Sequence, residues 1–214
     1  MIYFASDMHA IHMEGVEEYI EKYKEGDILI ILGDLGLNFE RTEENRIFTE
    51  RFLSIDKPIL LVEGNHENHA YLNSFPEVDF CGGRANKITD SILRLKRGHI
   101  FTIEGKAFFV MGGCKSSAKW KERGLWFDGE EPSPEEIAFA RENLLAHGNK
   151  VDFVLTHKYH PDMHGTDPLT LEGLKDHIDE HVDFSHWYAG HWHKEIFYDM
   201  RHTVVGYGLF PLKY

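Results

Sequence analysis

Seven side chains of this sequence are of the types that hold metal cations through oxygen and imidazole nitrogen, and they fall in five short polar patches. Asp7 and His9 lie in Ser6-Asp7-Met8-His9, Asp34 follows Gly33, and Asn65 opens Asn65-His66-Glu67 after Gly64. His157 follows Thr156, and His191 and His193 lie in Gly190-His191-Trp192-His193. Carboxylate oxygen, amide oxygen and neutral imidazole make borderline-hard sites suited to Mn, Fe, Zn or Ni, and no cysteine stands among them to bias the set towards softer ions. The donors suffice for two adjacent metal ions. In the Asp-x-His and His-x-His pairs, both side chains can point at one site if the segment is strand-like, because a strand repeats every two residues.

Each patch follows an apolar, β-prone run, at 2–5, 28–32, 59–62, 151–155 and 187–189. A short apolar run that ends abruptly in Gly, Asp, Asn or His reads as a buried strand delivering polar groups at its carboxyl end. After the first strand, Val16, Tyr19, Ile20 and Tyr23 mark one face of an amphipathic helix ending before Gly26. Phe48, Phe52 and Ile55 mark a second helix before Pro58. Strand, helix, strand, helix, strand argues for a parallel sheet with crossover helices.

The middle of the chain differs. From 91 to 112, β-rich runs are broken by Arg97-Gly98 and Glu104-Gly105, the punctuation of antiparallel hairpins. Residues 112–132 read as irregular. Ser133, Pro134 and Glu136 then form a capping box with Pro in the first turn, and Gly148 stops that helix. A further helix is predicted over 169–181, and a closing hairpin over 196–205. The expected fold is α/β, with two sheets packed face to face and helices outside.

The chain of 214 residues suits one domain over 1–214, and its 23 Lys plus Arg against 36 Asp plus Glu leave a formal charge of −13. So negative a field disfavours long nucleic acid and anionic membranes, which need a basic surface. Cys81 and Cys114 are far apart and form no CxxC pair, so both are expected as free thiols. With neither a signal peptide nor a spanning segment legible, a cytoplasmic location is expected. Apolar residues outside the helices suit a core or a subunit contact alike, so the oligomeric state stays open.

The order DxH, GD, GNHE, H, GHxH over residues 7–193 resembles the calcineurin-like metallophosphoesterase family. The resemblance implies a four-layer α/β/β/α sandwich of two mixed sheets, with the site at one end of the sheets. It also implies that Asp7, His9 and His193 hold one metal, that Asn65, His157 and His191 hold the other, and that Asp34 bridges them. Two such cations about 3.5–4 Å apart share a water, lower its pKa and clamp phosphate oxygens for in-line attack. The implied activity is hydrolysis of a phosphomonoester or phosphodiester of small or moderate size by a metal-bridging hydroxide. His66 matches the histidine that faces substrate and protonates the leaving alkoxide, a role that calls for an acidic neighbour, either Asp34 or Glu67. Gly36 stands where many relatives carry a second acid, and Glu67 replaces the commoner Asp. The stretch GDLGLNFER lacks the arginine-bearing GDxxDRG of the serine/threonine protein phosphatase branch.

The remaining histidines, His12, His69, His99, His147, His177, His181, His186 and His202, read as ordinary surface or core residues. His160 and His164 follow His157 closely enough to line a pocket. In the 112–132 stretch, Lys119, Lys121 and Arg123 are candidate phosphate contacts, while Trp120, Trp126 and Phe127 either pin the loop to the core or stack on a substrate ring. Two alternatives stand beside the phosphoesterase: a nuclease of the same family, disfavoured by charge, and a non-catalytic protein-binding scaffold, which would tolerate lost ligands.

Overall fold

Alternate residues of the apolar strands belong to different cores, and this explains why the runs are apolar throughout. In the computed structural model, which describes residues 1–213, β1 (Ile2–Ala5), β2 (Ile28–Leu32) and β3 (Ile59–Val62) lie side by side and parallel. Ile30, Leu32, Leu60 and Val62 face a second sheet, where they meet Phe108, Val110, Phe153, Leu155 and Tyr188. Leu29, Ile31, Ile59 and Leu61 face the other way, onto Val16 and Tyr19 of α1 (Glu14–Lys22) and Phe48 and Phe52 of α2 (Glu43–Leu53). With both faces covered, no position of these strands can be polar without an unpaired buried group.

The first sheet has the order β13-β1-β2-β3-β6-β5-β4. After β3 come the short helix α3 (His69–Asn73), the hairpin of β4 (Glu77–Phe80) and β5 (Gly83–Lys87), and β6 (Ile92–Leu95), which returns parallel to β3. The second sheet has the order β11-β12-β10-β9-β8-β7. It is built from β7 (Ile100–Ile103), β8 (Lys106–Met111), β9 (Phe153–Thr156), β10 (His186–Ala189), β11 (Ile196–Phe197) and β12 (His202–Val204). β13 (Phe210–Pro211) crosses back to pair antiparallel with β1. The outer face of the second sheet packs Phe109, Val154 and Trp187 on Ile137 and Leu144 of α5 (Pro134–Ala146) and on Leu174 and Ile178 of α6 (Leu171–His181). The layers therefore run α/β/β/α with two mixed sheets, as expected.

Several expectations change. Arg97-Gly98 is not a hairpin turn: β6 and β7 belong to different sheets, and the turn carries the chain across between them. Arg97 is buried there, ion-paired to Glu63 and donating to the carbonyls of Gly129 and Glu130, which no hairpin tip would require. Glu104-Gly105 does close a hairpin, β7–β8. The β4–β5 hairpin and β13 carry too little apolar pattern to have been read: β4 alternates exposed with half-buried residues, β5 (Gly83–Lys87) buries small and polar side chains, and β13 has only two residues. Stretch 112–132 contains one short helix, α4 (Ala118–Glu122). In α1, Ile20 is 39% exposed and lies off the buried face, and Ile55 falls just past the end of α2. The capping box of Ser133 and Glu136 forms with both reciprocal bonds, and β11–β12 pair antiparallel as the closing hairpin.

Candidate metal centre

Because β1, β2 and β3 are mutually parallel in one sheet and β8, β9 and β10 in the other, their carboxyl ends emerge along one edge of the sandwich. The chain turns sharply as it leaves them. Asp7 (φ +61°), His9 (+48°), Asp34 (+54°), His191 (+76°) and His193 (+57°) all adopt the left-handed backbone region. Such conformations cost a non-glycine residue about 1–3 kcal/mol each and persist only where the surroundings impose them. The expected strand-like geometry for Asp7/His9 and His191/His193 is thus replaced: the side chains converge through left-handed turns, not through the two-residue repeat.

Backbone bonds enforce these turns. Asp7 N–H donates to Gly33 O at 3.0 Å, His9 N–H to Asp34 O at 2.8 Å and Gly190 N–H to His157 O at 2.8 Å. Gly64 and Gly190 allow the loops to close on one another. A Cβ at Gly64 would collide with the Asp34 carboxylate and backbone, and one at Gly190 would strike the Ser6 hydroxyl and come within 2.8 Å of Leu32 O.

The donors fall into two groups that meet at Asp34. On one side, His9 Nε2 lies 3.0 Å from His193 Nε2 and 3.6 Å from Asp34 Oδ2, and His193 Nε2 lies 3.8 Å from Asp7 Oδ1. On the other, His157 Nε2 lies 3.3 Å from Asp34 Oδ1, 3.2 Å from Asn65 Oδ1 and 3.2 Å from His191 Nδ1. Two atoms on one ion at bond lengths of about 2.0–2.1 Å stand roughly 2.9–3.4 Å apart, for cis-octahedral or tetrahedral angles. Four of the six separations fall there, three of them around His157, and the two longer ones lie on the His9 side, so each group is of a size that can hold a cation.

Supporting bonds hold the donors in place. His157 Nδ1 faces Leu32 O at 2.8 Å, which assigns the ring proton to Nδ1 in the neutral form and turns Nε2 towards the cluster. Both Asp7 oxygens accept the His191 N–H, at 3.0 and 2.9 Å. Asp34 Oδ1 accepts the His66 N–H at 2.7 Å, and Asn65 Nδ2 donates to Ser116 Oγ at 2.9 Å.

Electrostatics separate the rings. Burial pushes His9 down to about 4 and His191 down to about 3, leaving both neutral with lone pairs free for ligation. Burial also disfavours the charge of His157, but the adjacent Asp34 carboxylate outweighs it and raises the ring to about 9. The same pairing holds Asp34 well below the ordinary carboxylate range despite its burial. Asp7 is pushed up to about 7 by burial, against the pull of the His157 charge. Two buried carboxylates facing this many imidazoles are stabilised by positive charge, supplied either by a proton or by a metal ion.

His66 lines the same edge. Its ring meets Trp120 edge-on at 4.5 Å between centroids and lies 5.1 Å from His9 and 5.3 Å from Phe39. Burial lowers its pKa. The expected acidic partner is not Glu67, whose carboxylate accepts the Leu35 and Gly36 N–H groups at 2.9 and 3.2 Å and braces the loop after β2. Asp34 acts on His66 through its charge and through the backbone N–H.

The other candidates are dispersed. Lys121 lies over Trp126 at 4.3 Å, whereas Arg123 lies over Trp120, the ring against His66, at 4.8 Å. Lys119 is exposed on α4. His160 is one ring removed from the donors, 5.6 Å from Trp192, which itself packs on His191. His164 pairs with Asp176 at 2.7 Å, on α6.

Two residues at the edge were not anticipated. Cys114 arrives from the end of β8, with Sγ 3.0 Å from Asn65 Oδ1 and 3.8 Å from His191 Nδ1, and burial raises its thiol pKa well above the ordinary value. The apolar run 107–111 followed by Gly112-Gly113-Cys114 repeats the pattern of strand followed by polar residue and was the available signal. Lys158, next to His157, places a positive charge near His191 and Cys114.

Among the described residues no helix is long and apolar enough to cross a membrane. No curated protein matches this sequence. The profile of the family described as Calcineurin-like phosphoesterase matches residues 1–195, which span every donor named above. The chain is a member of the calcineurin-like phosphoesterase family, whose members are metal-dependent phosphoesterases.

Proposed function

We propose that this protein hydrolyses a phosphomonoester or phosphodiester of small or moderate size at a binuclear metal centre. The observation that carries the reading is the sharing of Asp34: one oxygen faces His9, beside His193 and Asp7, and the other faces His157, beside Asn65 and His191. Asp7, His9 and His193 would hold one cation, Asn65, His157 and His191 the other, and Asp34 both. Mn, Fe, Zn or Ni at these positions would supply Lewis acidity to phosphate oxygens and a lowered pKa to a shared water.

The chain's own residues do the rest. Asp34 sets the spacing and takes up cationic charge with both oxygens. His66, beside His9 on the Trp120 side, donates its ring N–H to a phosphate or leaving-group oxygen, and an arriving phosphate raises its affinity for a second proton. Trp120 holds the His66 ring and brings Arg123 within reach of a substrate anion. Of the basic candidates, Arg123 is the one the aromatic contacts tie to His66; Lys121 lies over Trp126 instead, Lys119 is exposed on α4, and His160 packs on Trp192.

The test is hydrolysis of p-nitrophenyl phosphate and bis-p-nitrophenyl phosphate, each with Mn, Fe, Zn or Ni and with chelator, together with metal analysis. Metal-dependent turnover of either ester, with two metal equivalents per chain, is the expected result. No turnover with any of the four metals, in protein that binds two equivalents, would favour the scaffold.

A further inference from the structure

A sixth strand brings a thiol to the edge where the donors gather. β8 is parallel to β9 and ends at the same edge, where Gly112 packs against the Glu63 backbone and Gly113 N–H donates to Glu63 O at 2.7 Å. Those contacts press the following residue, Cys114, against Asn65, two residues beyond Glu63. Cys114 is 2% exposed, so the sulfur faces the cluster and not solvent.

The shorter of the two sulfur distances is that of neighbouring ligands, and the longer exceeds that range by about 0.2 Å, within a small movement of the side chain. With a metal–sulfur bond of about 2.3 Å and metal–nitrogen or metal–oxygen bonds of about 2.0–2.1 Å, sulfur stands roughly 3.0–3.6 Å from other atoms on the same ion. Cys114 Sγ lies 3.0 Å from Asn65 Oδ1 and 3.8 Å from His191 Nδ1. Ligand atoms of Cys114, His157 and His191 lie within 4.8 Å of one another, a group separate from that of Asp7, His9, Asp34 and His193. The neighbouring pair His157 Nε2 and His191 Nδ1, 3.2 Å apart and both turned towards Asn65 Oδ1 and Cys114 Sγ, points independently to a cation at this position, because each ring presents a ligating nitrogen to the same small space. A sulfur that only filled space would not need to meet both an amide oxygen and a ring nitrogen of one donor group.

We propose that the Cys114 thiolate is an additional ligand of the cation held by Asn65, His157 and His191; this rests on the binuclear reading above. On binding, the S–H bond breaks, its proton leaves to solvent and the sulfur lone pair forms the metal bond, as a coordinating thiol is deprotonated outright. The two positions then differ in character: the Asp7/His9/His193 position is all oxygen and nitrogen, whereas the Cys114 position is softer and favours Zn or Fe over Mn.

Cobalt titration of the chelator-stripped full-length protein tests this. Wild type is expected to develop visible ligand-field bands and, in addition, an intense near-ultraviolet sulfur-to-cobalt band, which disappears in Cys114→Ser and Cys114→Ala and persists in Cys81→Ser. Zn²⁺ affinity at that position should fall by about 10–100-fold in Cys114→Ser while Mn²⁺ affinity changes by less than about threefold. Ligand-field bands without the sulfur band would overturn the cysteine proposal and leave the binuclear centre standing. If neither type of band formed in wild type, the binuclear reading itself would fail. Either variant can carry the result, since Ala removes the donor with no new polar group if Ser fails to fold.

Discussion

A single methyl group placed on Gly64 should dismantle the centre while leaving the sandwich intact. Gly64 does not need a left-handed backbone, so alanine brings no torsional strain; its only effect is where the methyl goes. A Cβ there would lie 2.9 Å from Asp34 Cγ and closer still to Asp34 Oδ1 and N, against an ordinary contact of about 3.5 Å or more. Relief requires the carboxylate oxygen and the Asp34 backbone nitrogen to move away by more than about 1 Å, at least the misplacement that costs about 100-fold in rate. Asp34 oxygens lie 3.6 and 3.3 Å from His9 and His157, so the shift disturbs both metal positions together. Gly64→Ala should therefore lose about 10–100-fold in metal affinity and about 100-fold in kcat, with a stability cost of about 1–3 kcal/mol from overpacking. Metal content by elemental analysis, kcat on p-nitrophenyl phosphate and a thermal melt would be measured on one preparation. Normal metal stoichiometry with kcat within twofold of wild type would refute the reasoning, because Asp34 would then not need the place the structure gives it.

Other predictions follow from the same geometry. His66→Gln should keep metal content near normal while lowering kcat by about 100-fold or more, with the larger loss on esters of poor leaving groups; loss of the metals would reassign His66 as a ligand. Metal affinity should rise with pH: Asp7, at about 7, and His157, at about 9, hold protons below those values that a cation must displace, so calorimetry in buffers of different ionisation heat should show proton release that shrinks as pH passes 9. Glu63→Gln should destabilise the fold by about 3–5 kcal/mol, because it leaves Arg94 and Arg97 buried without their carboxylate. Burial opposes the Glu63 charge, but Arg94 and Arg97 hold its pKa down to about 2, below the ordinary 4.5, so its contribution is present above pH 4.5 and lost as pH falls towards 2. A denaturation series should accordingly show a flatter acid limb in the variant. Arg123→Ala should raise KM by about 3–10-fold, whereas Lys121→Ala, whose ammonium lies over Trp126, should change it by less than about twofold.

Residue type and order were enough to single out the candidate donors. Asp7, His9, Asp34, Asn65, His157, His191 and His193 stand out because each breaks an apolar run that has to be buried, and a chain seldom places polar groups there without a use for them. The continuous apolar runs likewise marked buried strands, and the structure divides their alternate residues, such as Leu29 and Ile30, between opposite cores. What the sequence could not carry was anything that depends on which strands become neighbours. Arg97-Gly98 has the composition of a hairpin turn, and only the pairing of β6 with β3 and of β7 with β8 makes it a crossing between sheets. Glu67 is adjacent to His66 in sequence, yet the turn between them sends its carboxylate to Leu35 and Gly36. Cys114, 49 residues from Asn65, becomes its neighbour because β8 and β9 are parallel and end at the same edge. Chemistry that resides in single side chains is legible along the chain, while contacts between remote loops follow from strand order and left-handed turns, which arise when the two sheets pack together.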